Sequence, residues 1–321
     1  MKRLVALAAL VLLLAGCSAA QPSTPDSRAL VPRPAGVQDP AVIPSSASGA
    51  AATCNPLASL RPSGGLPSVG AMPGGSFMAQ IAQRGRLVVG VDQNTFLFGY
   101  RNAASGEIEG FDIDIARAVA AAIFGTADGH IQLVAITSAQ RIPYVSQGTV
   151  DIVADTMTMN CARWQQVDFS SQYYSAGQRV LVAGSSTAKS IDDLGGQKVC
   201  AAAGSTSIAN IAAAKSKPIP VSVLDWTDCL VMLQQGQVAA ISTDDTILAG
   251  LQKQDPTTKL VGAPFTAEPY GMAIAKSHPD FVRFVNAVLE NLRDNGGWAA
   301  IYSRWLSGTA TPPAAQYQAG S

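Results

Sequence analysis

Histidine is scarce in this chain, two among 321 residues, and charge is sparse and balanced, with 22 basic and 22 acidic side chains. These shortages exclude whole classes of function. His130 and His278 are far apart in loop-like contexts, and neither accompanies a plausible nucleophile. A zinc site needs tighter ligand spacing and usually histidine, so no metal and no cofactor is expected. No basic run stands out, which argues against nucleic acid and against strong binding to a lipid surface. Beyond the first residues, no segment is long and apolar enough to cross a bilayer. Gly64-Gly65 and Gly74-Gly75 lack the strand, spacing and lysine of a phosphate loop.

What is present at the start points to export. Lys2 and Arg3 precede an apolar run from Leu4 to Ala15, so residues 1–16 read as a signal peptide. Leu14-Ala15-Gly16-Cys17 is the bacterial lipoprotein pattern. Cleavage before Cys17 would leave that cysteine N-terminal and acylated, enough to hold the protein on the outer face of the cytoplasmic membrane. Residues 17–53 are rich in Ser, Ala, Pro and Thr and are expected to be a disordered tether, with too little apolar surface to offset the cost of ordering. The rest is long enough for one large or two medium domains.

That remainder alternates strand and helix patterns. Arg86–Val91, Ile131–Ile136 and Val150–Ala154 read as strands, with Phe111–Phe124 and Ser138–Gln147 as the helices between them. A second series follows, with strands at Lys198–Ala202, Val221–Leu224 and Ala239–Ile241. Helices open at Gly204-Ser205-Thr206-Ser207, Asp228 and Asp244. Two successive βαβ units predict an α/β fold of two lobes around a cleft, each with a mainly parallel sheet. Gln178–Ala183 and Pro264–Ala275 are extended runs where the chain is expected to cross between lobes. The expected boundaries are 54–182 and 269–308 for the first lobe, 183–268 for the second, and a tail over 309–321.

Setting Cys17 aside leaves Cys54, Cys161, Cys200 and Cys229, an even set in an exported chain. Four cysteines allow three pairings. Cys200 ends a strand and Cys229 opens the next helix, so they could meet inside one lobe; Cys54 would then pair with Cys161.

The chemistry concentrates between Thr137 and Ser170. Two arginines, Arg141 and Arg163, each follow short hydroxyl side chains in a segment that otherwise reads as buried. An arginine fork matches a carboxylate through two parallel charge-assisted hydrogen bonds, and neighbouring hydroxyls satisfy the remaining lone pairs. Two forks suit a ligand with two carboxylates, or with one carboxylate and one amide. The alternative is that both arginines pair with structural aspartates such as Asp151 and Asp168. Met157 and Met159 read as core residues, and Trp298, Tyr302 and Trp305 as a packing stripe.

Several segments together resemble a known family: Gly110-Phe111-Asp112-Ile113-Asp114, Gly148–Asp151, Thr158–Asn160 with Arg163, Val167-Asp168-Phe169-Ser170, Gly204-Ser205-Thr206-Ser207 and Tyr270-Gly271. In this order they are similar to the solute-binding proteins for polar amino acids, family 3, the extracytoplasmic components of ABC importers. The resemblance covers roughly Arg86 to Leu306 and implies the two-lobed periplasmic-binding-protein fold of type II, with crossing strands as hinge. Within the family, Thr137–Pro143 and Thr243-Asp244-Asp245 look like glutamate/aspartate binders, and the lipoprotein start with Cys54 looks like actinobacterial glutamine-binding lipoproteins.

The resemblance also implies roles for individual residues. Arg163, with Thr158 nearby, would hold the ligand α-carboxylate, helped by the helix N-terminus at Ser205 and Thr206. Asp244 would take the α-ammonium. Ser138, Arg141 and Thr156 would meet a side-chain carboxylate, Phe98 would either pack under the ligand or belong to the core, and Asp92 would either favour an amide donor or neutralise a basic side chain outside the pocket. The implied ligands are glutamate and aspartate, with glutamine and asparagine tolerated, and the implied partner is an ABC permease. A membrane sensor that only reports the ligand is the alternative partner. The protein is expected to be a monomer and not an enzyme, although a few enzymes share the fold.

Overall fold

The computed structural model describes residues 31–43 and 54–321. The signal peptide, Cys17 and much of the tether therefore lie outside the described residues.

Leu87–Val91 is an unbroken apolar run because its sheet is covered on both faces; Leu87, Val89 and Val91 are fully buried. It pairs in parallel with Ile131–Ala135 on one side and Ile152–Val153 on the other. The helix Phe111–Phe124 makes the first crossover, and the short helix Arg141–Ser146 the second. Ala273–Ile274 returns late in the chain and inserts antiparallel between Ile152–Val153 and Asp168–Phe169, closing a five-stranded sheet. The first lobe is thus built from two separate stretches of sequence. The helices Pro279–Asp294 and Gly297–Leu306 complete it, with Phe281, Val285 and Trp298 in its core.

The second lobe repeats the logic. Ile219–Val223, Lys198–Ala202 and Ala240–Asp244 are parallel neighbours, and Gln178–Ala183 and Thr258–Val261 add antiparallel strands. Tyr174–Ala176 and Glu268–Tyr270 pair antiparallel and carry the chain between lobes. Gln178–Ala183 belongs wholly to the second sheet, so the lobe boundary lies at the crossing strand before it, several residues ahead of the expected 182.

Both disulfides join the expected pairs, Cys54 with Cys161 and Cys200 with Cys229, with Cα atoms 5.8 and 5.6 Å apart. Met157 and Met159 are buried in the core, and Trp298 stacks on Tyr302 at 5.2 Å.

Two expectations need correction. Within the supposed tether, residues 33–43 are packed on the second lobe. Gln38 exchanges backbone hydrogen bonds with Ser222 at 2.8 and 3.0 Å, Asp39 pairs with Lys198 at 2.6 Å, and Ala41 enters the core. An edge strand offers unpaired backbone groups, and even a segment poor in large apolar residues can use them. At the other end the supposed tail is also tied down, since Gln316–Tyr317 pairs in parallel with Ala58–Ser59.

Candidate ligand-binding site

A small, partly open cavity lies between the lobes. The first lobe contributes Arg141, Thr156, Thr158 and Arg163, and the second Ser205, Thr206, Ser207, Trp226, Thr243, Asp244 and Ile247. The lobes are closed on one another. A Cβ on Gly204, whose φ is +78°, would sit 2.6 Å from the Ala139 Cα, and one on Gly250 would sit 2.7 Å from the Phe96 carbonyl oxygen. Only glycine permits that approach at Gly204.

Arg163 stands in the short helix Cys161–Trp164, whose N-cap is Asn160; the Asn160 side chain accepts from the Arg163 N–H at 2.9 Å. Its guanidinium donates to the Thr158 carbonyl at 2.7 Å and, across the cleft, to the Gly204 carbonyl at 3.2 Å. Both partners are neutral. Among the described residues no carboxylate comes within ion-pair distance of Arg163. Burial, followed by the nearby Arg141 charge, pulls its pKa down to about 9. A buried cation without a counter-ion is costly, and a bound anion relieves the cost.

The second lobe faces this cation with a helix end. Ser205 is the N-cap of Thr206–Ala213, yet its hydroxyl donates back to the Ala202 carbonyl at 2.7 Å and leaves the first-turn amides without a side-chain cap. Such amides, with the helix dipole, favour an anion. Asp244 ends the strand Ala240–Asp244 and accepts from the Tyr270 hydroxyl at 2.7 Å. Burial first, then the neighbouring Glu268 charge, pushes its pKa up to about 8. A cation beside it would restore the ionised form.

Arg141 is held differently. Its Nε donates to the Ser138 carbonyl at 3.0 Å, one Nη donates to the Asp155 carbonyl at 2.9 Å, and the Asp155 carboxylate lies 3.9 Å from Nε. Asp151 pairs with Arg84, and Asp168 with Lys276 at 3.2 Å, so neither holds Arg141 or Arg163. Thr156 adopts φ +39°, a strained conformation for a β-branched residue. The Asp112 carboxylate fixes it by accepting from its N–H at 2.7 Å, and also accepts from the Tyr173 hydroxyl at 2.8 Å.

Three expected ligand contacts fall elsewhere. The Asp92 carboxylate is used on its own turn, accepting from the Asn94 N–H at 2.7 Å and the Thr95 hydroxyl at 2.6 Å, and it does not line the cavity. Phe98 is fully buried against Phe111, Tyr174 and Tyr270, a core residue outside the cavity. Ser138 lines a neighbouring cleft and serves the site through its backbone carbonyl on Arg141. Conversely, Trp226, Thr243, Ser207 and Ile247 line the cavity without having been anticipated. For Trp226 a signal existed: Asp225 and Asp228 form a capping box, which starts the helix at Trp226 rather than at Asp228. Among the described residues no group of three or more His, Cys, Asp or Glu is placed to hold a metal ion.

Comparison with known proteins agrees with this architecture. The ABC transporter glutamine-binding protein GlnH of Bacillus subtilis strain 168 is 40% identical over 233 residues, covering 71% of this chain and 84% of that protein. A glutamate/aspartate import solute-binding protein of Salmonella typhimurium LT2 is 27% identical over 253 residues, covering 76% of this chain and 83% of its own length. Among solved structures, an ancestral arginine-binding protein bound to glutamine superposes with a TM-score of 0.65 at 31% identity, covering 70% of this chain and 99% of that one. The sequence profile of the bacterial extracellular solute-binding proteins, family 3, matches residues 87–308, and the chain belongs to that family.

Proposed function

We propose that this protein captures a free polar amino acid outside the cytoplasmic membrane and presents it to an ABC permease. The observation that carries the reading is the composition of one small cavity between the lobes. It combines a buried guanidinium without a counter-ion, an uncapped helix N-terminus and a buried carboxylate. The first two suit an α-carboxylate, and the third suits an α-ammonium. Arg163, Thr158, Ser205 and Thr206 then hold the carboxylate and Asp244 the ammonium. Arg141 and Thr156 meet the side chain, which is glutamine, asparagine, glutamate or aspartate. Glutamine and glutamate/aspartate both occur among the ligands named for the relatives. Acylation of Cys17 would keep the protein beside its membrane partner.

Isothermal titration of residues 33–321 against the twenty amino acids tests the reading. Saturable one-to-one binding of members of that set is expected. Absence of heat with all twenty would refute it.

A further inference from the structure

Three buried carboxylates interact near Arg141: Asp155 feels the charges of Arg141, Asp92 and Asp112. Asp92 and Asp112 each have both oxygens engaged by donors. Asp155 has neither. Its side chain is 1% exposed, and both Oδ1 and Oδ2 are buried without a hydrogen-bond partner. A buried carboxylate in that position is expensive unless it is paired or carries a proton. Its one ion-pair contact is Arg141, 3.9 Å away, and Arg141 lines the cavity.

We propose that Asp155 sets the side-chain specificity of the site by exchanging a proton. With the proton on, Arg141 presents a net positive charge and the site takes a carboxylate side chain. With the proton off, Asp155 and Arg141 form an ion pair, and the site takes an amide, whose oxygen needs a donor but no net charge. Binding of glutamate or aspartate therefore draws one proton into the protein that binding of glutamine or asparagine does not. The proposal rests on the amino-acid-binding reading above. The groups that act on Asp155 are consistent with it. Burial, then the Asp92 and Asp112 charges, favour the protonated form, while Arg141 and Arg163 favour the ionised one. An ionised ligand carboxylate beside Arg141 adds another negative charge, which tips the balance toward protonation.

The test is the ratio of glutamate to glutamine affinity, measured by titration calorimetry from pH 6 to pH 9. Groups that meet the α-carboxylate and α-ammonium act equally on both ligands and cancel in the ratio. In the wild-type protein the ratio should fall at least about tenfold across that range. In Asp155→Asn it should stay flat, which separates Asp155 from Asp92 and Asp112. Repeating the wild-type titration at one pH in two buffers of different ionisation enthalpy counts protons without any variant. Glutamate should take up more protons than glutamine. Equal proton counts, or a ratio that changes with pH identically in Asp155→Asn, would overturn the proposal. A wild-type protein that binds neither ligand would instead refute the amino-acid reading itself.

Discussion

Arg141 and Arg163 are both buried, both line the same cavity and both donate to backbone carbonyls, yet their charges are treated differently. Arg163 has only neutral partners, so its charge is left for whatever enters the cleft. Arg141 has Asp155 behind it, at 3.9 Å, and two further carboxylates nearby. Arg163 is therefore a fixed anion receptor. At Arg141 the net charge depends on a proton. This separation suits a protein that must recognise the group common to all amino acids while choosing among side chains.

The comparison is broken most directly at Arg163. Arg163→Ala removes the receptor for the group common to all ligands and should cost about 3–5 kcal/mol of binding free energy for each of them, the loss typical of one partner of a buried charge pair. Calorimetry on a variant whose circular dichroism matches the wild type checks this; retained wild-type affinity would show that the α-carboxylate is held elsewhere.

Recognition of the common group should also impose a shared pH dependence. Asp244 is pushed up to about 8 in the ligand-free cavity, so below that pH a cationic α-ammonium must first displace a proton. Affinity for every amino acid should accordingly rise by tens of fold from pH 6 to pH 8. It should decline above pH 9 as Arg163, pulled down to about 9, loses its charge. The same shift works the other way on stability. Because the folded pKa of Asp244 exceeds the unfolded carboxylate value, its stabilising contribution to the ligand-free fold is full below about pH 4 and is lost as pH rises through about 8. Asp112, pushed up to about 7 chiefly by burial, acts in the same direction. Melting temperature followed against pH with and without ligand separates the two effects.

At Arg141 the effects are smaller. Arg141→Met should weaken glutamate and aspartate about tenfold more than glutamine and asparagine, because a charge-assisted hydrogen bond contributes about 1–2 kcal/mol more than a neutral one. Equal losses for acids and amides would make Arg141 structural. Asp92→Asn removes a charge that favours the proton on Asp155, so it should lower the acid-to-amide ratio, by less than the Arg141 change does. A rise in the ratio would instead place the Asp92 carboxylate against the ligand side chain.

Much of this was legible from sequence for identifiable reasons. Buried parallel strands need continuous apolar runs, and Leu87–Val91 and Lys198–Ala202 declare themselves in that way. The role of Arg163 came from the family resemblance, and the structure carries it to the cavity on a short helix capped by Asn160. The side-chain specificity was not legible, because Asp92 and Asp155 both follow apolar strands and look alike as text. A local hydrogen bond to Asn94 two residues on draws Asp92 into its own turn, while Thr156, held at a positive φ by Asp112, turns the chain just after Asp155. Neither event has a signature in residue type. Residues 33–43 escaped for a related reason. Composition registers missing apolar surface but not the backbone bonds that Gln38 makes to the Ser222 edge.

The two arginines are separated most directly by titrating glutamine into Arg163→Ala and Arg141→Met side by side. If one is the receptor for the common group and the other the selector, glutamine binding should disappear in Arg163→Ala and persist within about tenfold in Arg141→Met. The reverse pattern, or equal loss in both, would contradict the account.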